Sequence, residues 1–350
     1  MHRLRNYIFC VLVTIILFFS MTAMEGFIFI KASVLKSDTY IEVIDEKKVP
    51  EKLCDELTDH FEEKANATGI PKEVYEEVLE HPVVQDVMGN VVDGAFDYIK
   101  GKAKGVDYEE AKEKLAPLKD SIKKYLEDYA DKNKVEKDEE FYNKTEKFAD
   151  EESDYIIDSA DVYKFSTVEK AGYLKYAKFV ADHINELIAA SSAAVGVFLI
   201  VLFLLNLKNK KNYLYWFSTA LFIMSAAYLG ICIYVKQTSY FDKFAIKAPP
   251  VFSAMTGAGY KFADQLIMIN SIIIGLAFIL MLIYAVFGKD SALIVQSGKN
   301  KKTVSLSEEA VSEVKNEETE ISDEETAVNT SDTQTVADDT NTETSDDFEK

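Results

Sequence analysis

The chain has 350 residues and carries 59 acidic against 39 basic side chains, a formal net charge of -20. Phosphate binding needs a Lys/Arg surface, so this balance, with no basic stripe and no nucleic-acid motif, excludes a nucleic-acid partner. The hydrophobic content of 48% averages two populations, apolar runs too long for a soluble core and stretches dense in Asp, Glu and Lys.

A hydrocarbon core of about 30 Å needs roughly 20 apolar residues as helix. Residues 1–6 form a short N-terminus holding Arg3 and Arg5, and 7–30 are the first segment of that length. Ser20 to Ala23 offers small residues for cleavage of a signal peptide. Met21 spoils the pattern and apolar sequence resumes at Phe27, so the segment reads as an uncleaved anchor.

Residues 31–183 read as a helical domain and stalk outside the cytoplasm. Val49, Leu53, Leu57 and Phe61 recur every four residues. Val84, Met88, Val91, Val92, Ala95 and Ile99 make a second stripe, and Tyr108, Ala111, Leu115, Leu118, Ile122, Tyr125 and Tyr129 a third. These are seams of helix-on-helix packing. Pro117 kinks the third helix or starts another. Ser37 is a candidate cap, and Gly69, Pro82 and 101–105 mark breaks. The fold class is all-α, a helical bundle without sustained period-two alternation. Cys54 is the only cysteine of this domain, since Cys10 and Cys232 fall in apolar segments, so no internal disulfide staples it. Tyr155, Tyr163, Phe165, Tyr173, Tyr176 and Phe179 suit an interfacial aromatic belt, with a ligand-binding cluster as the alternative. Residues 167–187 read as a helix running into the second span, or as a simple stalk.

The remaining spans are 184–207, 213–235 and 264–287, separated by a turn at 208–212 and a loop at 236–263. Lys208, Lys210, Lys211, Lys289, Lys299, Lys301 and Lys302 join Arg3 and Arg5 on one side if both termini are cytoplasmic, which the positive-inside rule favours. Lys236, Lys243, Lys247 and Lys261 stand against it on the opposite side. Small residues recur at Ala189/Ala193, Ser192/Gly196, Ala226/Gly230 and Ser271/Gly275, which reads as packing within the bundle, with a self-association face as the alternative. Residues 288–350 form an acidic tail, expected to be disordered from Thr303 because it holds too little apolar surface to fold.

Candidate chemistry gathers at the outer ends of the spans. Asp182, His183 and Glu186 have the spacing of one helix face. They suit part of a metal site, a proton relay or plain solvation of a helix end. Glu25 closes the first span there, and Asp264, Gln265 and Asn270 open the fourth. Asp264 suits an N-cap, and Asn270 is the costlier group to leave facing lipid. Thr256-Gly257-Ala258-Gly259 contains a GxG without a preceding strand, which is no phosphate signal. Asn66 and Asn143 open N-x-Thr sequons. No cofactor is expected, and no metal ligand set is complete.

Leu35-Lys36-Ser37-Asp38-Thr39-Tyr40, followed by Leu53, Leu57 and Ile70-Pro71, resembles a class of uncharacterised membrane proteins of low-GC Gram-positive bacteria. That resemblance implies an N-terminal anchor, a helical ectodomain and three further spans, and brings no assigned activity. The order of spans also resembles permease subunits of the MacB/FtsX type, whose outer domains are mixed α/β where this one reads all-helical. The expected function is a non-enzymatic envelope scaffold that binds an envelope protein or wall component. A transporter or transporter subunit is the alternative, followed by a membrane enzyme with a metal at Asp182, His183 and Glu186.

Overall fold

The computed structural model describes residues 2–76 and 79–311. Among them there is no strand. The described residues up to Ser291 form one compact unit, and those from Ala292 to Val311 belong to a second.

Four helices are long and apolar enough to cross a membrane, the composition of a multi-pass membrane protein. The first is α1 (His2–Phe29), which ends in a single wider π-turn at Ile30–Val34. Leu17 and Met21 of α1 are buried, while Ile8, Leu12, Ile15 and Phe19 face outward. Against α1 lies α10 (Leu174–Leu205), running antiparallel and tied near both ends. Asn6 donates to Leu205 O at 3.1 Å and Lys31 to Asn185 Oδ1 at 2.6 Å. The third span is α11 (Lys211–Gln237) and the fourth lies in α12 (Pro249–Val311), within Pro249–Val286. Trp216, Ala220 and Met224 of α11 and Ala277 of α12 complete a core with Leu17, Met21 and Leu202.

Between α1 and α10 the chain builds a helical domain from α2 (Ser37–Glu46), α3 (Val49–Thr68), α4 (Glu73–Glu76), α5 (His81–Ile99), α6 (Glu109–Lys114), α7 (Ala116–Asn133), α8 (Glu139–Ala160) and α9 (Phe165–Lys170). All four residues of the Val49-to-Phe61 stripe and all six of the Val84-to-Ile99 stripe are buried in one core. The third stripe breaks at Leu115, where Pro117 sits in the first turn of a new helix, α7, because proline there forfeits no helical hydrogen bond. Helices α7 and α8 form an antiparallel hairpin laced by Lys119–Asp150 at 2.7 Å and Lys123–Glu146 at 3.2 Å. Asp138 caps α8 by accepting from Phe141 N at 2.8 Å, and Gly69 ends α3 with φ +76°. Cys54 is half-buried, and burial, with Asp55 beside it, pushes its thiol up in pKa.

Several expectations change. Ser37 opens α2 but makes no capping bond with its side chain. The segment 167–187 is interrupted at Gly172, φ +78°, so only the part from Leu174 continues into the span. Tyr163 and Phe165 belong to the domain core, whereas Tyr173, Tyr176 and Phe179 are exposed, as a belt requires. The small-residue stripes do not pack within the bundle. Ser192, Ala193, Gly230 and Gly275 lie on outward faces, and a Cβ at Gly196, Gly230 or Gly275 would meet no atom within 4 Å. The loop expected over 236–263 is only half loop, since α12 starts at Pro249. Backbone helix also continues past Thr303 to Val311. The rest of the expected disordered tail, 312–350, lies outside the described residues.

The early start of α12 has a packing cause. Gly257 lies against Val43 of α2 and Lys47 just past its end, where an added Cβ would come within 2.8 Å of each side chain. Gly259 likewise leaves room for the Phe241 ring, 2.6 Å from such a Cβ. Both glycines are contact points of a helix.

Candidate functional site

Three polar groups meet at the domain-side end of the membrane bundle. Glu25 comes from α1, Tyr228 from α11 and Asn270 from α12. Asn270 is fully buried and Glu25 is 8% exposed. The Asn270 amide donates to Glu25 Oε1 at 2.6 Å and to Leu266 O at 3.1 Å. Tyr228 donates to Thr22 O at 3.0 Å, one turn before Glu25, and its hydroxyl lies 3.5 Å from where a Cβ on Gly26 would sit. Glu25 Oε2 and Asn270 Oδ1 are buried with no partner among the described residues. In hydrocarbon such atoms persist only when the surrounding helices hold them together.

Asp264 does not join this pair. It is no N-cap, because α12 begins at Pro249. Six residues turn a helix by roughly 240°, so Asp264 and Asn270 present to different faces. Asp264 is exposed and pairs with Lys236 of α11. A cleft of about 300 Å³ lies beside it, lined by Glu46, Lys47, Tyr260, Lys261 and Gln265 among others.

Asp182, His183 and Glu186 stay apart from Glu25 and Asn270. His183 Nδ1 meets Glu186 Oε2 at 3.1 Å with both side chains well exposed, and His183 leans edge-on against Phe179. Among the described residues no three His, Cys, Asp or Glu side chains converge as a metal site. Surface pairs of this kind contribute roughly 0 to 1 kcal/mol.

One polar group inside the helical domain escapes sequence reading. Glu152 of α8 is fully buried and its Oε1 lies 2.5 Å from Lys64 Nζ of α3. The two approach as charges without hydrogen-bond alignment, and Glu152 Oε2 has no partner among the described residues. His60, one turn from Lys64, stacks on Tyr155 with centroids 3.9 Å apart. Burial foremost, then the Lys64 charge, holds His60 below the ordinary histidine pKa, against an opposing pull from Glu152 and Glu63. The available signal was Glu152 falling on the buried stripe Thr145, Ala149, Ile156 and Ala160.

A second group joins the domain to the membrane helices. Lys261 of α12 is shared between Glu42 at 2.8 Å and Glu46 at 2.6 Å on α2. Lys52 donates to Ser253 Oγ at 2.6 Å. Tyr163 donates to Tyr40 O at 2.9 Å, and burial pushes Tyr40 up to about 12, so its phenol stays protonated and donates to Val34 O at 3.1 Å. No protein-family model matches the chain, and it has no match among curated proteins or solved structures.

Proposed function

We propose that this chain is a non-enzymatic envelope protein that displays a helical ectodomain in a fixed pose on the membrane, where the domain binds another envelope protein or a wall component. The observation that carries the reading is the shared core. Ala254 and Ala258 of α12 belong to the same buried cluster as Leu53, Val87 and Phe96 of the domain. A tether would leave the domain free to turn, whereas a shared core fixes which face it presents. Both termini are cytoplasmic in this reading, so that the Lys208–Lys211 turn and the Arg3–Arg5 pair lie on one side.

Photo-crosslinkers at the exposed Tyr129 and Tyr142 positions of the full-length protein in cells test the binding role. Adducts from both positions to the same envelope protein or wall polymer are expected. Adducts no more frequent than from a lipid-facing control position sink it. A reporter fused after residue 130 should be active only outside the cytoplasm, and one fused after Gly298 only inside. The reverse pattern overturns the orientation.

A second reading, a transporter or transporter subunit, is favoured by the buried Glu25–Asn270 contact alone. Co-purification of an ATPase from membranes, with solute uptake by the reconstituted pair, would raise it above the first.

A further inference from the structure

The Glu25–Asn270 contact leaves an unusual remainder. The Asn270 amide nitrogen spends both hydrogens, one on Glu25 Oε1 and one on Leu266 O. That fixes which end of the amide is nitrogen, because the alternative would set two acceptors against each other. What remains unpaired is Glu25 Oε2 on one group and Asn270 Oδ1 on the other. Both are acceptors and both are buried. Neither can satisfy the other without a hydrogen between them.

We propose that Glu25 is a proton-binding site, a neutral carboxylic acid whose Oε2–H donates to Asn270 Oδ1 and closes a paired acid–amide ring across α1 and α12. One proton satisfies both orphaned oxygens. It also removes the charge that the setting tolerates least, since the direct partner of Glu25 is an amide and not a cation. The titratable groups facing it from α11 are Tyr228 and Cys232. Just past α1, in the π-turn, the next charge is Lys31, which is occupied by Asn185 of α10. Lys236 of α11 is occupied by Asp264 of α12. Loss of the proton to water would leave a carboxylate held by Asn270 Nδ2 alone and would loosen α12 from α1. The site thereby couples one proton to the contact between two membrane helices. This inference is independent of what the ectodomain binds.

The test uses full-length protein reconstituted in phosphatidylcholine vesicles. Dicyclohexylcarbodiimide reacts with protonated carboxyls in apolar surroundings, and peptide mass spectrometry locates the adduct. Label on Glu25 is expected at neutral pH, with loss of label as pH rises. Infrared spectra of the same sample should show a carboxylic-acid carbonyl band that disappears in Glu25→Gln. That variant retains the hydrogen bond from Asn270 and supplies its own donor for Oδ1, so it should fold. The wild-type infrared titration stands even if it does not. Absence of both the band and the label at neutral and acidic pH overturns the proposal. Protection of Glu25 by sodium at constant pH also overturns it, since the two oxygens would then be holding a monovalent cation.

Discussion

The ring of Phe262, on the last membrane helix, stands edge-on to Tyr40 of the helical domain with centroids 5.8 Å apart. Phe262 also meets Phe29 of α1 edge-on at 6.0 Å. One side chain of the last span therefore touches both the entrance to the domain and the first span. Phe262→Ala should cost about 2 kcal/mol, below the range for a fully buried phenylalanine because this one is only partly buried. Hydrogen exchange of α2 amides in the detergent-solubilised full-length protein should speed up. Unchanged α2 protection would show that the domain is held elsewhere.

Glycines separate tight contacts from open faces. A Cβ on Gly94 would run into the backbone carbonyl of Asp107, which cannot rotate away. Gly94→Ala should cost about 3 kcal/mol or prevent folding. Gly196→Ala and Gly230→Ala meet open space and should be neutral or stabilising by up to about 1 kcal/mol, the helix propensity difference. Thermal unfolding of the three variants orders them, and a destabilised Gly196→Ala would mean that this face is covered in the membrane.

Glu152 and Lys64 test how a buried charge is kept. Lys64→Met strips the cation paired with a wholly buried carboxylate and should cost about 3 kcal/mol, the lower part of the usual range because Lys64 keeps some solvent. Replacing Glu152 with methionine as well should recover most of the loss. A double variant as weak as the single one would assign the effect to packing against Phe148, over whose ring Lys64 lies at 5.7 Å.

His60 gives the domain a pH dependence of definite sign. Its folded pKa lies below 6.5, so the unfolded chain takes up the proton first. The stabilising contribution is complete above 6.5 and is lost as pH falls from there toward the folded value. Denaturant midpoints should therefore drop on acidification through this window. His60→Phe keeps a ring stacked on Tyr155 and should flatten that part of the profile. A wild-type stability that rises on acidification would contradict the burial of His60.

The core stripes were legible because their partners are local in pattern. Val49, Leu53, Leu57 and Phe61 announce one face of one helix wherever that face ends up. The join between domain and membrane was hidden for the opposite reason. Lys261 looks like a charge that ends a span until Glu42 and Glu46, more than 200 positions earlier, neutralise it. Glu25 and Asn270 were each visible as polar residues near a span end, but their pairing across 245 positions is a property of the bundle. Asp264 carried the same surface signal and faces Lys236 instead. Residue type marked the cost of each group, and only the helix phase decided which two would share it.

The last helix has a mechanical consequence. Its candidate span from Pro249 to Val286 is 38 residues long, about 57 Å at 1.5 Å per residue, more than a hydrocarbon core of about 30 Å needs. The Pro249 half of that segment is clasped by α2 and α3 through Lys261, Ser253 and Gly257. A rod gripped along one arm and passing through a two-dimensional fluid carries a load on that arm into the fluid. A sideways load on the helical domain is thus felt by the last helix as a torque on its tilt in the bilayer.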